Sequence, residues 1–202
     1  MTSPFRRPDG CRVGLLYVAL VVALAYSTVL SIIIAHRPAP AKPTAVAVPD
    51  PPPFWPERKK LESYVLANYN VYPSYVSYVF DAVESNAKKY KLPPVFLLSV
   101  ISVESSFDFG AISNKQCKGM MQINYPMWAL ELKTAGIATS EKQLYDPKVN
   151  IEAGSYVLAK LLKQSLSDPE LALSKYLGCN NKDYSNKVLN TWGEYSLICT
   201  LN

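Results

Sequence analysis

Residues 13–35 run for 23 positions without a charged side chain and are rich in Leu, Val, Ile and Ala. No other stretch constrains the chain so strongly, because a segment this apolar has no stable place on a water-exposed surface. As a helix it is about 34 Å long at roughly 1.5 Å per residue, enough to cross a hydrocarbon core of roughly 30 Å. Arg6, Arg7 and Arg12 precede it, while only His36 and Arg37 follow closely. The excess of positive charge therefore places residues 1–12 in the cytoplasm and the rest outside. A cleavable signal peptide is the alternative, with Ala39-Pro40-Ala41 as its small-residue site. Against it, the apolar run exceeds the roughly 7–15 residues of a signal core. Either reading exports the remainder of the chain.

Between residues 38 and 56, eight of 19 positions are proline. Such a segment is short of amide donors and reads as an extended, semi-rigid spacer. The organisation expected is residues 1–12 cytoplasmic, 13–35 a transmembrane signal-anchor, 36–56 a Pro-rich linker and 57–202 a folded domain.

Composition matters chiefly for what it excludes in that domain. Five of the 21 Lys and Arg residues lie before residue 57, leaving 16 basic and 14 acidic residues after it. So small an excess gives no electrostatic case for nucleic acid as a partner. The single histidine, His36, lies outside the domain, and Cys11, Cys117, Cys179 and Cys199 form no CxxC pair. A His-based triad, a His-rich metal site and thiol-bound zinc are excluded there. No metal or cofactor is expected, and the chemistry falls to carboxylates, hydroxyls, amides or lysines.

The domain reads as mainly helical. Val76, Phe80, Val83, Ala87 and Tyr90 recur at spacings of three and four over 74–90, the mark of an amphipathic helix. After Pro93-Pro94, a helix over about 94–106 carries Val95, Phe96, Leu97, Leu98, Val100, Ile101 and Val103. It is apolar nearly all round and should be buried. Asp146-Pro147 and Asp168-Pro169 each pair a capping carboxylate with proline at the first helical position. Tyr184, Val188, Trp192 and Tyr195 mark one face of a last helix, and residues 57–73 read as the first. Only Met120–Ile123 hints at a strand.

Glu104 stands out because it ends the most apolar helix. Burial there disfavours its charged form and should raise its pKa, as a general acid near neutral pH requires. The plainer reading, a helix-end Glu reaching solvent or an ion pair, fits the residue taken alone.

Four blocks of sequence bear on that choice. They are Val103-Glu104-Ser105-Ser106-Phe107 with Ala111-Ile112-Ser113; Gly119-Met120-Met121-Gln122-Ile123; Asp146-Pro147 with Asn150-Ile151, Gly154 and Leu158; and Leu171-Ala172-Leu173 with Tyr176. In this order and spacing, over roughly residues 75–195, the chain resembles the lytic transglycosylase domain of the soluble-lytic-transglycosylase type. That family is related to goose-type lysozyme. The resemblance implies a mainly α, lysozyme-like domain with at most a short β element; with the 13–35 run as its anchor, it is expected at the inner membrane with its catalytic part in the periplasm.

The resemblance further implies peptidoglycan glycan strands as substrate. Glu104 would protonate the oxygen between N-acetylmuramic acid and N-acetylglucosamine, then act as base on the muramoyl C6 hydroxyl, giving a 1,6-anhydro end. Ser113 and Gln122 would hydrogen-bond the substrate, with Met120 or Met121 as an apolar wall or as core. Tyr176 would set its hydroxyl by Glu104 or the substrate N-acetyl group. Asp108 reads as a turn residue, and Asp146, Asn150 and Gly154 as structural.

Two departures from the family pattern stand out. Leu177 follows Tyr176 where the family has Asn, although Asn180 lies close behind. Cys117 and Cys179 each lie beside a block expected to line the cleft, so a disulfide between them is one option, with pairings to Cys199 equally open. A hydrolytic muramidase using Glu104, and a non-catalytic wall-binding protein keeping the fold, are the rival functions. A secretion system, pilus or phage-entry assembly is the kind of partner the family analogy suggests.

Overall fold

The computed structural model describes Trp55 and residues 57–179 and 181–200. The expected membrane span at 13–35 and most of the Pro-rich linker lie outside the described residues. Among the described residues, no helix is long and apolar enough to cross a membrane. Trp55 is the exception within the expected linker. Its indole is buried and stacks on Phe80, with ring centroids 5.5 Å apart and planes 6° from parallel. The packed core therefore begins before residue 57.

Seven α-helices follow: α1 (Arg58–Asn68), α2 (Pro73–Tyr90), α3 (Pro94–Ser105), α4 (Tyr125–Thr134), α5 (Pro147–Gln164), α6 (Pro169–Leu177) and α7 (Lys182–Thr200). A 3-10 turn at Glu141–Tyr145 precedes α5. Proline sits in the first two positions of α2 to α6, where its missing N–H has no helical partner to lose. Asp146 accepts from the Lys148 and Val149 amides at 2.8 and 3.3 Å. Asp168 accepts from the Leu171 amide at 3.1 Å, so both Asp-Pro starts act as the sequence suggests. The helix α4 and the 3-10 turn go beyond the sequence expectation. Asn124 caps the former by accepting from the Met127 amide at 3.2 Å, and Ser140 with Gln143 forms a reciprocal capping box on the latter.

The helix α3 is the centre of the packing. Phe96, Leu97, Leu98, Val100 and Ile101 are fully buried, beneath α2 on one side and α7 on the other. In turn α2 packs on α5, and α6 bridges α5 and α7. No strand occurs among the described residues. The expected β stretch at 120–123 is a tight turn flanked by two isolated bridges, Ile112 to Lys118 and Lys118 to Ile123.

That turn is fastened to α5. Asn150, fully buried, donates to the Lys118 and Leu144 carbonyls at 2.8 Å each and accepts from the Met121 amide at 2.7 Å. One turn further along α5, Gly154 leaves room for Met121. A Cβ at Gly154 would lie 2.3 Å from the Met121 Sδ and 2.7 Å from its Cβ.

Asn150→Ala should lower stability by about 3 kcal/mol or more, because each buried group left without a partner costs roughly 1–3 kcal/mol. Gly154→Ala should cost about 1–3 kcal/mol through overpacking. Chemical denaturation of the two variants checks both. A loss below about 0.5 kcal/mol in either would contradict this account of the turn.

Candidate active site

The carboxyl of Glu104 leaves the last turn of α3, where the burial of the helix ends. The backbone then reverses: Ser106 and Phe107 both adopt positive φ, 53° and 66°. A left-handed conformation costs a non-glycine residue roughly 1–2 kcal/mol. Here Phe107 is buried, its ring set edge-on to Tyr69 with centroids 4.8 Å apart, and its carbonyl accepts from the Tyr75 hydroxyl at 3.3 Å. Ser105 completes the join by donating to the Ile101 carbonyl at 3.2 Å and the Met120 carbonyl at 2.9 Å. The end of α3 and the 119–122 turn are thus one assembly.

Glu104 itself is half-buried, and burial pushes its carboxyl from 4.5 up to about 7. A hydrogen bond from the Tyr184 hydroxyl to Oε1 acts in the opposite direction without reversing the shift. Among the described residues, no lysine or arginine forms an ion pair with it. Desolvation dominates, and the carboxyl holds its proton to neutrality. Burial and the Glu104 charge also raise the Tyr184 hydroxyl far above its usual range. Tyr184 is therefore a donor to Glu104 at every ordinary pH.

Tyr176 belongs to the same group. Its hydroxyl donates to the Met121 carbonyl at 2.7 Å, and both burial and the charge of Glu104 push its own ionisation up. Its ring also lines a cleft of about 140 Å³ with Lys115, Cys117, Gln122, Trp128 and Leu177. Tyr176 thus feels the Glu104 charge and lines this concave surface, while Glu104 itself is not among the residues lining it.

The other expected site residues are placed unevenly. Gln122 lines that cleft, but its amide nitrogen is committed to the Ala111 and Gly119 carbonyls at 3.1 and 2.9 Å. Only its amide oxygen is left for a ligand. Ser113 accepts from the Cys117 amide at 3.1 Å and closes the turn that carries Lys115. Met120 and Met121 are fully buried, so they support the turn and offer no side-chain surface in this conformation. Asp108 accepts from the Gly110 amide at 2.8 Å, a turn contact. Cys117, Cys179 and Cys199 are free thiols in the structure, so the considered disulfide between Cys117 and Cys179 is not formed in it. Leu177 puts an apolar side chain in the cleft wall, and Asn180 lies outside the described residues. Among the described residues, no group of carboxylates and thiols is placed to hold a metal ion.

Sequence reasoning misses Tyr184 as a site residue. Its spacing makes it the first member of a packing stripe with Val188, Trp192 and Tyr195. A hydroxyl-bearing ring in the first turn of α7, at the end of that stripe, is the available signal.

Comparison with known proteins places the chain in a family. Residues 81–195 match the Transglycosylase SLT domain family. Membrane-bound lytic murein transglycosylase E of Buchnera aphidicola subsp. Acyrthosiphon pisum (strain APS) is 31% identical over 99 residues, which are 48% of this chain and 45% of that protein. The match thus spans less than half the length of that relative. An inactive mutant of lytic transglycosylase Slt from Pseudomonas aeruginosa superposes with a TM-score of 0.54 at 20% identity, over 58% of this chain and 24% of that one. That likeness is one of fold.

The raised carboxyl has a consequence for stability. Between pH 4.5 and about 7 the folded state holds a proton on Glu104 that the unfolded chain has released. The associated stability is full below that window and is lost as pH rises through it, by on the order of 3 kcal/mol at about 1.4 kcal/mol per pKa unit. Glu104→Gln should flatten this part of the profile and be the more stable protein above pH 7. Denaturation of both proteins from pH 4 to 8 checks it, and parallel profiles would contradict the desolvated carboxyl.

Proposed function

Because the chain belongs to the transglycosylase SLT domain family, we propose that it cleaves peptidoglycan between N-acetylmuramic acid and N-acetylglucosamine and leaves 1,6-anhydromuramic ends. The observation that carries this reading is the half-buried Glu104, protonated to neutrality and hydrogen-bonded by Tyr184. In the first step the Glu104 carboxyl gives its proton to the glycosidic oxygen as the C1–O bond breaks. Positive charge then develops at the muramoyl C1. No second carboxylate contacts Glu104 among the described residues, unlike the paired carboxylates of ordinary glycosidases. The substrate must therefore supply the missing stabilisation, and its own N-acetyl oxygen is suitably placed on C2. In the second step the Glu104 carboxylate takes the proton of the C6 hydroxyl, whose oxygen bonds to C1. The enzyme ends protonated as it began, and no water is consumed.

Tyr184 serves both halves of this cycle. Its proton never leaves, so the carboxylate formed after the first step keeps one fixed donor. That limits the penalty of a charge in a desolvated site. Gln122 and Tyr176, sharing a cleft wall, are the substrate-facing groups we assign, with Ser113 holding the turn beside them.

The match to a protein named as membrane-bound supports a membrane-held enzyme; the uncharged run at 13–35 is the single-pass anchor we assign, with residues 1–12 in the cytoplasm and the catalytic domain in the periplasm. The Pro-rich linker expected over 36–56, less the packed Trp55, suits a glycan layer that lies away from the bilayer.

Mass spectrometry of digested sacculi tests the reaction. Anhydro-ended muropeptides are expected, one water lighter than hydrolysed products, and hydrolysed ends alone would make the enzyme a muramidase instead. Glu104→Gln should reduce cleavage by about 10²–10⁴, the usual contribution of a general acid. Full activity in that variant would remove Glu104 from the reaction. Tyr184→Phe removes the bond that lowers the Glu104 pKa, so the alkaline limb of kcat/KM should move upward from about 7. An unmoved limb would reduce Tyr184 to packing.

A further inference from the structure

Among the described residues only two aromatic side chains are classed as exposed, Tyr72 at 80% and Phe109 at 51%. Both line one groove of about 640 Å³. Its walls are the connection between α1 and α2, contributing Asn70 and Tyr72, and the reversal after α3, contributing Ser106, Asp108 and Phe109. It shares no residue with the cleft of Gln122 and Tyr176, yet it takes in Ser105 and Ser106, which directly follow Glu104. The Asn70–Tyr75 wall also precedes residue 81, where the family match begins.

The chemistry of the groove narrows its ligand. Apolar side chains this exposed are tolerated singly, but paired in a groove with a polar rim they mark a binding surface. Tyr75, half-buried, backs Phe109 with ring centroids 5.6 Å apart, and its hydroxyl is committed to the Phe107 carbonyl and the Met120 Sδ at 3.3 Å each. The Phe109 ring is thus supported from one side. Around the rings lie amides, hydroxyls and the Asp108 carboxylate, and no lysine or arginine lines the groove. A carboxylate finds no counter-charge there, so the sugar that stacks is the neutral N-acetylglucosamine and not the lactyl-bearing muramoyl residue. A pyranose ring offers what the groove lacks: an apolar face for stacking, and hydroxyl and acetamido donors for the amide and carboxylate oxygens. The volume falls within the roughly 300–1,000 Å³ of ordinary small-ligand clefts, room for a short oligosaccharide.

We infer that this groove binds N-acetylated glycan apart from the Gln122–Tyr176 cleft, with Tyr72 and Phe109 as its stacking surfaces. The inference rests on the peptidoglycan-cleaving reading above and extends it. A polymer held at two places stays with the enzyme when one bond is cut. Grip on long strands, rather than cleavage itself, is what the groove provides.

The test uses the full-length chain in detergent, carrying Glu104→Gln so that the polymer survives, co-sedimented with purified sacculi and with peptide-free glycan chains. Tyr72→Ala and Phe109→Ala should each weaken sedimentation of both polymers about three- to tenfold, the size of losing one stacked ring, with melting temperatures unchanged. In the Glu104 background the same substitutions should leave kcat/KM on a soluble tetrasaccharide unchanged. Undiminished sedimentation by both variants overturns the inference. So does displacement of Tyr72 and Phe109 contacts by a synthetic peptide of residues 38–56, which would make the groove a seat for the Pro-rich segment. Wild-type cleavage of sacculi is scored separately, so loss of the reaction and loss of the groove give different results.

Discussion

Taking α3 out of water on every side is the constraint on which the structure turns. A helix with this much apolar surface can be stable only when surrounded, and α2 and α7 close over it. At about 25 cal/mol per Å² of apolar area, the packing easily outweighs the cost of one awkward side chain at its end. Glu104 is that side chain. It is carried to the edge of the core and left where a charge is poorly solvated. The protein accommodates this by keeping the proton.

The same burial would be of little chemical use if the chain beyond Glu104 were loose. The 118–122 turn is held from below by Asn150 and from the side by Ser105, and Met121 fills the space that Gly154 leaves. The Met121 carbonyl then receives the Tyr176 hydroxyl. From α5 through the turn to α6, the backbone that frames the carboxyl is anchored by buried hydrogen bonds, with one long ion pair from Lys118 to Glu141 at 3.7 Å beside them. A general acid depends on such fixed surroundings, because its pKa follows solvent access.

Elements marked by local chemistry are legible in the sequence. Periodicity suffices for α2, an apolar run opened by Pro93-Pro94 for α3, and Asp-Pro pairs announce α5 and α6. The helix α4 is not legible because only Leu132 of its residues is fully buried, while Met127 and Leu130 face outward, so no apolar stripe betrays it. Trp55 is hidden among prolines, and only its stack on Phe80, 25 residues away in sequence, assigns it to the core. Glu104 stands out locally at the end of an apolar run, but the four blocks together are what single it out. Tyr184 does not stand out, since its meaning depends on a contact across 80 residues. The methionines and Gln122 belong to a legible block, but the block does not give their direction. Burial turns both methionines into the protein, and the Gln122 amide nitrogen is spent on the Ala111 and Gly119 carbonyls, which leaves only its oxygen to the cleft.

The central claim concerns one proton, and it can be watched directly. In the full-length chain labelled with ¹³C-glutamate, the Glu104 carboxyl resonance is identified by its absence from the Glu104→Gln variant and followed as pH is varied. The account predicts a midpoint of about 7. A midpoint at the ordinary carboxylate value of 4.5 would mean that Glu104 is well solvated and holds no proton to give, contradicting the mechanism at its root.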